Sequence, residues 1–164
     1  MTLEDAKAYL RLESGGEDAL VARLVGSAVA LCEAYLGAPL VERDVVETIA
    51  PGAGWRRLGN APVVAITEVA DAGGVALPAD AYAIDIDARG DGWVRVAGGA
   101  RVRVTYRAGL AVAAEAVPAA IAQGVIRLAA HLYAARDGDA APPAAVAALW
   151  RPYRRLRLGG GGRA

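Results

Sequence analysis

The sequence predicts an α+β fold: a mainly α-helical bundle assembled from both chain ends, with an antiparallel β-sheet region inserted between them. Three observations predict it. Apolar residues recur at helical spacing near both termini, and short β-rich runs punctuated by turn residues fill the middle. The length, 164 residues, suits one domain with a real core. The body is read as residues 1–150, with helices over 2–37 and 117–150 and the β insertion over 44–107; a basic tail occupies 151–164.

Residues 2–37 read as two helices. Thr2 with Asp5, and Ser14 with Glu17, have the spacing of a capping box, in which a hydroxyl and an acid three residues on satisfy free amides. The first helix carries Leu3, Ala6, Tyr9 and Leu10 on one side, and Gly15-Gly16 breaks it. The second runs from about Glu17 to Leu36. Its stripe is Leu20, Leu24, Ala28, Leu31 and Tyr35, flanked by Val21, Val25 and Cys32. Gly37 and then Pro39 stop it.

From 44 to 107 the pattern is that of strands. The runs are Val45–Ile49, Val63–Val69, Tyr82–Ile86, Trp93–Val96 and Arg101–Arg107. Turn signals separate them at Pro51-Gly52, Asp71–Gly74, Arg89–Gly92 and Gly98-Gly99. Consecutive strands joined by tight turns imply one antiparallel sheet. In the last run Arg101, Arg103 and Arg107 share one face, and valines with Tyr106 the other. That basic face reads as a solvated one, or as the lining of a channel if the chain is a ring subunit.

Helix returns after Pro118, which suits a first helical position. Ile121, Val125, Leu128 and Leu132 form a stripe widened by Ile126, Ala129 and Tyr133. Asp137-Gly138-Asp139 and Pro142-Pro143 interrupt the chain, and Ala144–Trp150 makes a short last helix presenting Val146, Leu149 and Trp150.

Hydrophobic residues total 55%, much of it alanine, while Phe is absent and aromatics are only 5%. Core volume must therefore come from Leu, Val, Ile and a few Trp and Tyr. The single cysteine, Cys32, excludes an internal disulfide and reads as a small buried hydrophobe in a reducing compartment. No apolar run reaches the roughly 20 residues of a bilayer span, and the opening Thr2–Asp5 is acidic where a signal peptide is basic. The expectation is an intracellular product without membrane association.

No catalytic constellation is legible. His131, the only histidine, has no partner at ligand spacing and reads as structural. Gly52-x-Gly54 and Arg89–Gly92 lack the helix and the Lys-Ser/Thr pair of a phosphate loop. Asp85, Asp87 and Asp91 match no calcium loop and read as a turn. Ser14 and Ser27, the only serines, sit in no nucleophile elbow. The reading is of a protein that is not an enzyme, with no cofactor and no metal site.

What stands apart is the end of the chain. Residues 151–164 hold five arginines and no acid, although the formal net charge is zero. A segment with so little apolar surface needs a partner or stays loose. Three readings are open: a solubilising end, nonspecific phosphate binding, or a protein anchor. Trp150, Tyr153, Leu156 and Leu158 alternate with the arginines, and Trp, Tyr and Arg dominate interface energetics. Residues 1–44 hold eight acids against Lys7, Arg11, Arg23 and Arg43. Opposite charge at the two ends favours head-to-tail contact between copies, and such contacts close into rings.

The order of these pieces resembles the gp6-like head–tail connector (adaptor) proteins of tailed phages and gene transfer agents. The resemblance rests on Leu3–Leu12, on Glu17-Asp18 opening a helix that ends Glu33–Gly37, and on Ala61–Val69 with its proline before a strand. It continues through Asp80–Ile84, Val104–Gly109, Val117–Ile121, His131–Tyr133 and Pro142–Leu149 before Tyr153-Arg154. It implies a virion protein of the head–tail neck: 1–150 as a connector domain, and a homo-oligomeric ring, commonly twelvefold in that family, under the portal. Such a ring extends the DNA channel and docks the stopper or tail-completion protein; DNA passes without sequence-specific binding. The resemblance further implies portal contacts at Trp150, Arg151, Tyr153, Arg154, Arg155, Leu156 and Arg157, with Arg101, Arg103 and Arg107 as channel-lining candidates. Alternatives are a DNA-binding module using the Arg-rich tail, and another neck protein such as a stopper.

Overall fold

The computed structural model describes residues 1–13, 15–135 and 143–155. Those residues form four α-helices and two three-stranded antiparallel sheets, an α+β fold, in two compact units. One unit joins Met1–Gly37 to Ala113–Arg155 and is helical; the other, within Ala38–Val112, is β.

The helical unit is built from α1 (Leu3–Leu10), α2 (Asp18–Leu36), α3 (Ala119–Ala134) and α4 (Ala144–Trp150). The first capping box forms: the Asp5 amide donates to Thr2 Oγ1 at 3.1 Å and the Thr2 amide to Asp5 Oδ2 at 2.6 Å. α1 stops at Leu10 rather than at the Gly15-Gly16 pair, because Arg11 already takes the left-handed conformation (φ 58°). For the second box, Ser14 lies outside the described residues. Glu17 is the N-cap of α2 without a side-chain cap bond, and its carboxylate accepts the Tyr133 hydroxyl of α3 instead. Lys7 meets Asp18 at 2.8 Å, and this pair raises the Lys7 pKa and ties α1 to α2.

The buried face of α2 is made by the flank together with Ala28 of the predicted stripe and Leu36. Val21, Val25, Ala28, Cys32 and Leu36 are buried, whereas Leu20, Leu24 and Tyr35 are half-buried and Leu31 is 48% exposed. The bulkier leucines marked a stripe one residue away from the true one. With its preceding 3₁₀ turn, Gly15–Leu36 is a 22-residue helical stretch holding an 18-residue window of mean hydropathy 1.6, long and apolar enough to cross a membrane by those measures; this corrects the expectation that no run reaches that length. On α3, Ile121, Val125, Leu128, Ile126 and Ala129 are buried as predicted, while Leu132 and Tyr133 are half-buried; on α4 Val146 and Trp150 are buried. Asp137-Gly138-Asp139 and Pro142 lie outside the described residues.

In the β unit the strands are β1 (Arg43–Ile49), β2 (Gly52–Arg57), β3 (Val63–Asp71), β4 (Tyr82–Ile86), β5 (Gly92–Val96) and β6 (Val102–Ala108). They form two sheets, ordered β1-β6-β3 and β2-β5-β4, where one had been expected. β2 has no counterpart in the sequence reading: Gly52-Ala-Gly-Trp-Arg-Arg57 has one large apolar residue and a bulged register against β5. Sequence-adjacent pairing holds for β4 and β5, but β6 lies between β1 and β3, so its partners are distant in sequence.

Both sheets contribute to one core: Ile49, Val69, Val94, Val96, Val102, Val104, Tyr106 and Ala108 among others. Strict alternation on β6 drives this, since Val102, Val104, Tyr106 and Ala108 are buried while Arg103 and Arg107 are exposed. The chain enters and leaves the unit through a seam in which Glu42 N–H donates to Ala111 C=O (2.8 Å) and Ala111 N–H to Leu40 C=O (3.1 Å). Gly109 permits it, because a Cβ there would overlap the Val41–Glu42 backbone.

One polar network lies in this core. The Tyr106 hydroxyl donates to Glu47 Oε2 at 2.9 Å and accepts the Asn60 backbone amide at 3.1 Å; the Gly59 amide donates to the same Glu47 oxygen at 2.7 Å. Desolvation raises the Tyr106 pKa, and it pushes the wholly buried Cys32 thiol up to about 12. Both groups thus favour their neutral forms when folded. Their contribution is complete below the unfolded values and is lost as pH rises through the folded ones. Thermal melts should therefore lose stability from about pH 9 upward, and Cys32→Ala should flatten the onset of that fall. Tyr106→Phe strands the Asn60 amide and should cost about 1–3 kcal/mol in urea unfolding at neutral pH.

Candidate docking surface

The predicted docking residues begin at the end of α4, and the structure separates them into an anchor and a surface. Trp150 is the anchor, only 4% exposed. Its indole N–H donates to the Ile121 carbonyl of α3 at 3.2 Å, and its ring stands 5.8 Å from that of Tyr35 on α2. α3 admits the indole only because residue 124 is glycine: a Cβ there would fall 2.8 Å from Trp150 Cε2. Trp150 is thus a core residue of the helical unit, not an exposed contact.

Beyond it, Arg151–Tyr153 form a 3₁₀ turn, and the Arg155 amide donates to the Leu36 carbonyl at 3.0 Å, at the C-terminus of α2. The turn carries the Arg154 guanidinium over the Tyr35 ring, 5.2 Å from its centre. Residues 151–155 are therefore packed on the helical unit rather than standing apart from it. The sequence pattern missed this because the segment's support comes from Tyr35 and Gly124, far away along the chain. Arg151 and Arg154 are exposed, and Tyr153 and Arg155 half-buried. Leu156 and Arg157 lie outside the described residues, as does Leu158.

Beside this turn is an apolar groove of about 190 Å³ lined by Leu31, Tyr35, Leu128, Pro143, Val146, Ala147 and Trp150. Four of the eight acids expected to complement the tail are engaged close to home. Asp18 holds Lys7, Asp5 caps α1, Glu17 holds Tyr133 and Asp44 meets Arg107 at 3.4 Å.

Arg101, Arg103 and Arg107 are all exposed, the last two on the outward face of β6. The face is mixed rather than purely basic. Arg107 lies against Asp44 of β1, and Thr105 between the two arginines donates to Glu68 of β3 at 3.5 Å. Asp87, weighed as a cation ligand or a turn, serves the turn: it accepts the amides of Arg89 (2.9 Å) and Asp91 (3.0 Å) and the Trp93 indole (3.1 Å). Among the described residues no cluster of three His, Cys, Asp or Glu is placed to hold a metal. His131 lies half-buried on α3.

No protein-family model and no curated protein matches this chain. Solved structures do. One chain from the neck of an empty GTA particle computed with C6 symmetry superposes with a TM-score of 0.79 at 26% identity, covering 98% of this chain and 92% of that one. A chain from the virion of a native gene transfer agent (GTA) particle gives 0.74 at 27% identity, over 98% and 92%. A chain from the neck of a native GTA particle computed with C12 symmetry gives 0.75 at 28%, over 97% and 91%.

The anchor and the surface should separate by mutation. Trp150→Ala should cost about 3–5 kcal/mol in denaturant unfolding, and Gly124→Ala about 1–3 kcal/mol because the indole must shift. Arg154→Ala should cost less than about 1 kcal/mol.

Proposed function

We propose that this chain is a structural protein of the neck of a phage-like particle, and more finely a head–tail adaptor. Copies form a ring beneath the portal, continue the DNA channel and present a surface to the stopper or tail. The observation that carries the reading is the likeness to neck and virion chains of GTA particles over 97–98% of this chain, at 26–28% identity. Ring assembly is supported by the sixfold and twelvefold symmetry of those necks.

On this reading the work is geometric. The helical unit holds a fixed platform, because Trp150 and the Arg155–Leu36 bond leave the turn at 151–155 little freedom. Arg151, Tyr153 and Arg154 face the portal from that platform, with Leu156 and Arg157 continuing the contact. Trp150 positions these residues without touching the partner. Arg101 and Arg103 line the channel, where their charge meets passing phosphates without reading sequence. Arg107 contributes less there, since Asp44 offsets it.

Deleting residues 156–164 tests the tail assignment and spares the packed turn. The truncated chain should melt within about 2 °C of the full chain, a shift corresponding to under about 1 kcal/mol. It should fail to join portal-containing heads to tails. Normal tail acquisition would remove Leu156 and Arg157 from the portal contact. Tight duplex binding by the isolated chain, weakening steeply with salt, would favour the DNA-binding alternative.

A further inference from the structure

A ring of identical subunits needs two different surfaces on each copy that fit one another. The edges of the two sheets present this requirement in different ways. In sheet β1-β6-β3 the edges are β1, carrying Arg43, Asp44 and Glu47, and β3, carrying Glu68 and Asp71 and already bridged by Val75–Leu77. Neither edge is net positive, so placing them side by side brings like charge together. In sheet β2-β5-β4 the edges have opposite sign. β2 carries Arg56 and Arg57; β4 carries Asp85, with Asp80 just before it and Asp87 just after.

The β4 edge is also apolar in a way that monomers avoid. Ile84 is 44% and Ile86 39% exposed, although their cross-strand neighbours Val94 and Gly92 are buried. On an edge strand, exposed isoleucines form a template for another strand. Across the sheet, Ala53 and Gly54 of β2 are exposed and small, so a neighbouring strand meets little steric resistance there. Arg95 of the central strand stacks 5.1 Å from the Trp55 ring centre, adding a third cation on the β2 side.

We infer that the contact between neighbouring copies is made by this sheet: β4 of one copy lies against β2 of the next, burying Ile84 and Ile86 and opposing Asp85 to Arg57, which share the face of Trp93. The contact is heterologous, so it propagates in one direction and gives a ring where the rotation between copies closes. It rests on the ring reading above and names the surfaces that reading requires. Strand addition supplies backbone hydrogen bonds, and the opposed charges fix direction by penalising β4-to-β4 and β2-to-β2 pairing.

The test uses the full-length chain carrying Ala53→Cys and Ile84→Cys, treated with a short bismaleimide and followed by denaturing gels and electron microscopy. Cys32 is wholly buried and stays silent. The paired variant should give a ladder of linked oligomers, and each single variant should give monomers. Dimers from Ile84→Cys alone would overturn the inference in favour of a two-fold contact. Rings seen by microscopy without a ladder would overturn it and leave the neck reading intact. A chain that forms no rings and is absent from necks would overturn both. Independently, Arg57→Glu and Asp85→Arg should each lower ring yield at least about tenfold, with little change in melting because the Arg57–Asp91 pair is long at 3.9 Å, and the two together should restore the yield. Failure of the pair to rescue also overturns the assignment.

Discussion

The seat of the Trp150 indole on Gly124 is the contact on which the rest of the helical unit depends. α4 has only seven residues, too short to persist as a helix without tertiary support. Its position is set by one large ring that must find both an apolar surface and a partner for its N–H. Gly124 provides the surface by lacking a side chain, and the Ile121 carbonyl provides the acceptor. Once the ring is seated, the 3₁₀ turn after it returns the backbone to the end of α2, where Arg155 bonds to Leu36. The exposed cations that follow are thereby held at fixed places.

The β unit solves a different problem. Its central strand β6 must pair with β1 and β3, which are far from it in sequence, and loop closure opposes both pairings. The entry–exit seam between residues 40–42 and 109–111 brings the ends of the unit together. The Tyr106–Glu47–Asn60 network then satisfies polar groups that would otherwise be buried without partners. Alternation on β6 leaves its charged residues on the outside, where Asp44 and Glu68 temper the arginines.

A protein of this kind carries its function in interfaces, and interfaces are poorly marked in sequence because packing residues have no distinctive spacing. The basic end of the chain was legible as unusual from its arginines and lack of acids. Its division into a buried anchor, a packed turn and an exposed pair of arginines was not, because Tyr35, Gly124 and Leu36 lie elsewhere in the chain. The opposed edges of sheet β2-β5-β4 were hidden for a related reason. β2 is too rich in glycine to read as a strand, so its arginines had no place in a sheet.

The amino-acid pattern alone determined the helical ends, the β-rich middle, the capping box at Thr2, the stop at Gly37 and the inward face of β6. Each of these follows from local periodicity or backbone preference, which act over a few residues. Tertiary structure decided what lies between distant segments: two sheets in place of one, the small-residue flank of α2 turned inward, and Trp150 withdrawn into the core. Those outcomes depend on volumes and hydrogen-bond partners supplied by residues dozens of positions away, and no local spacing encodes them.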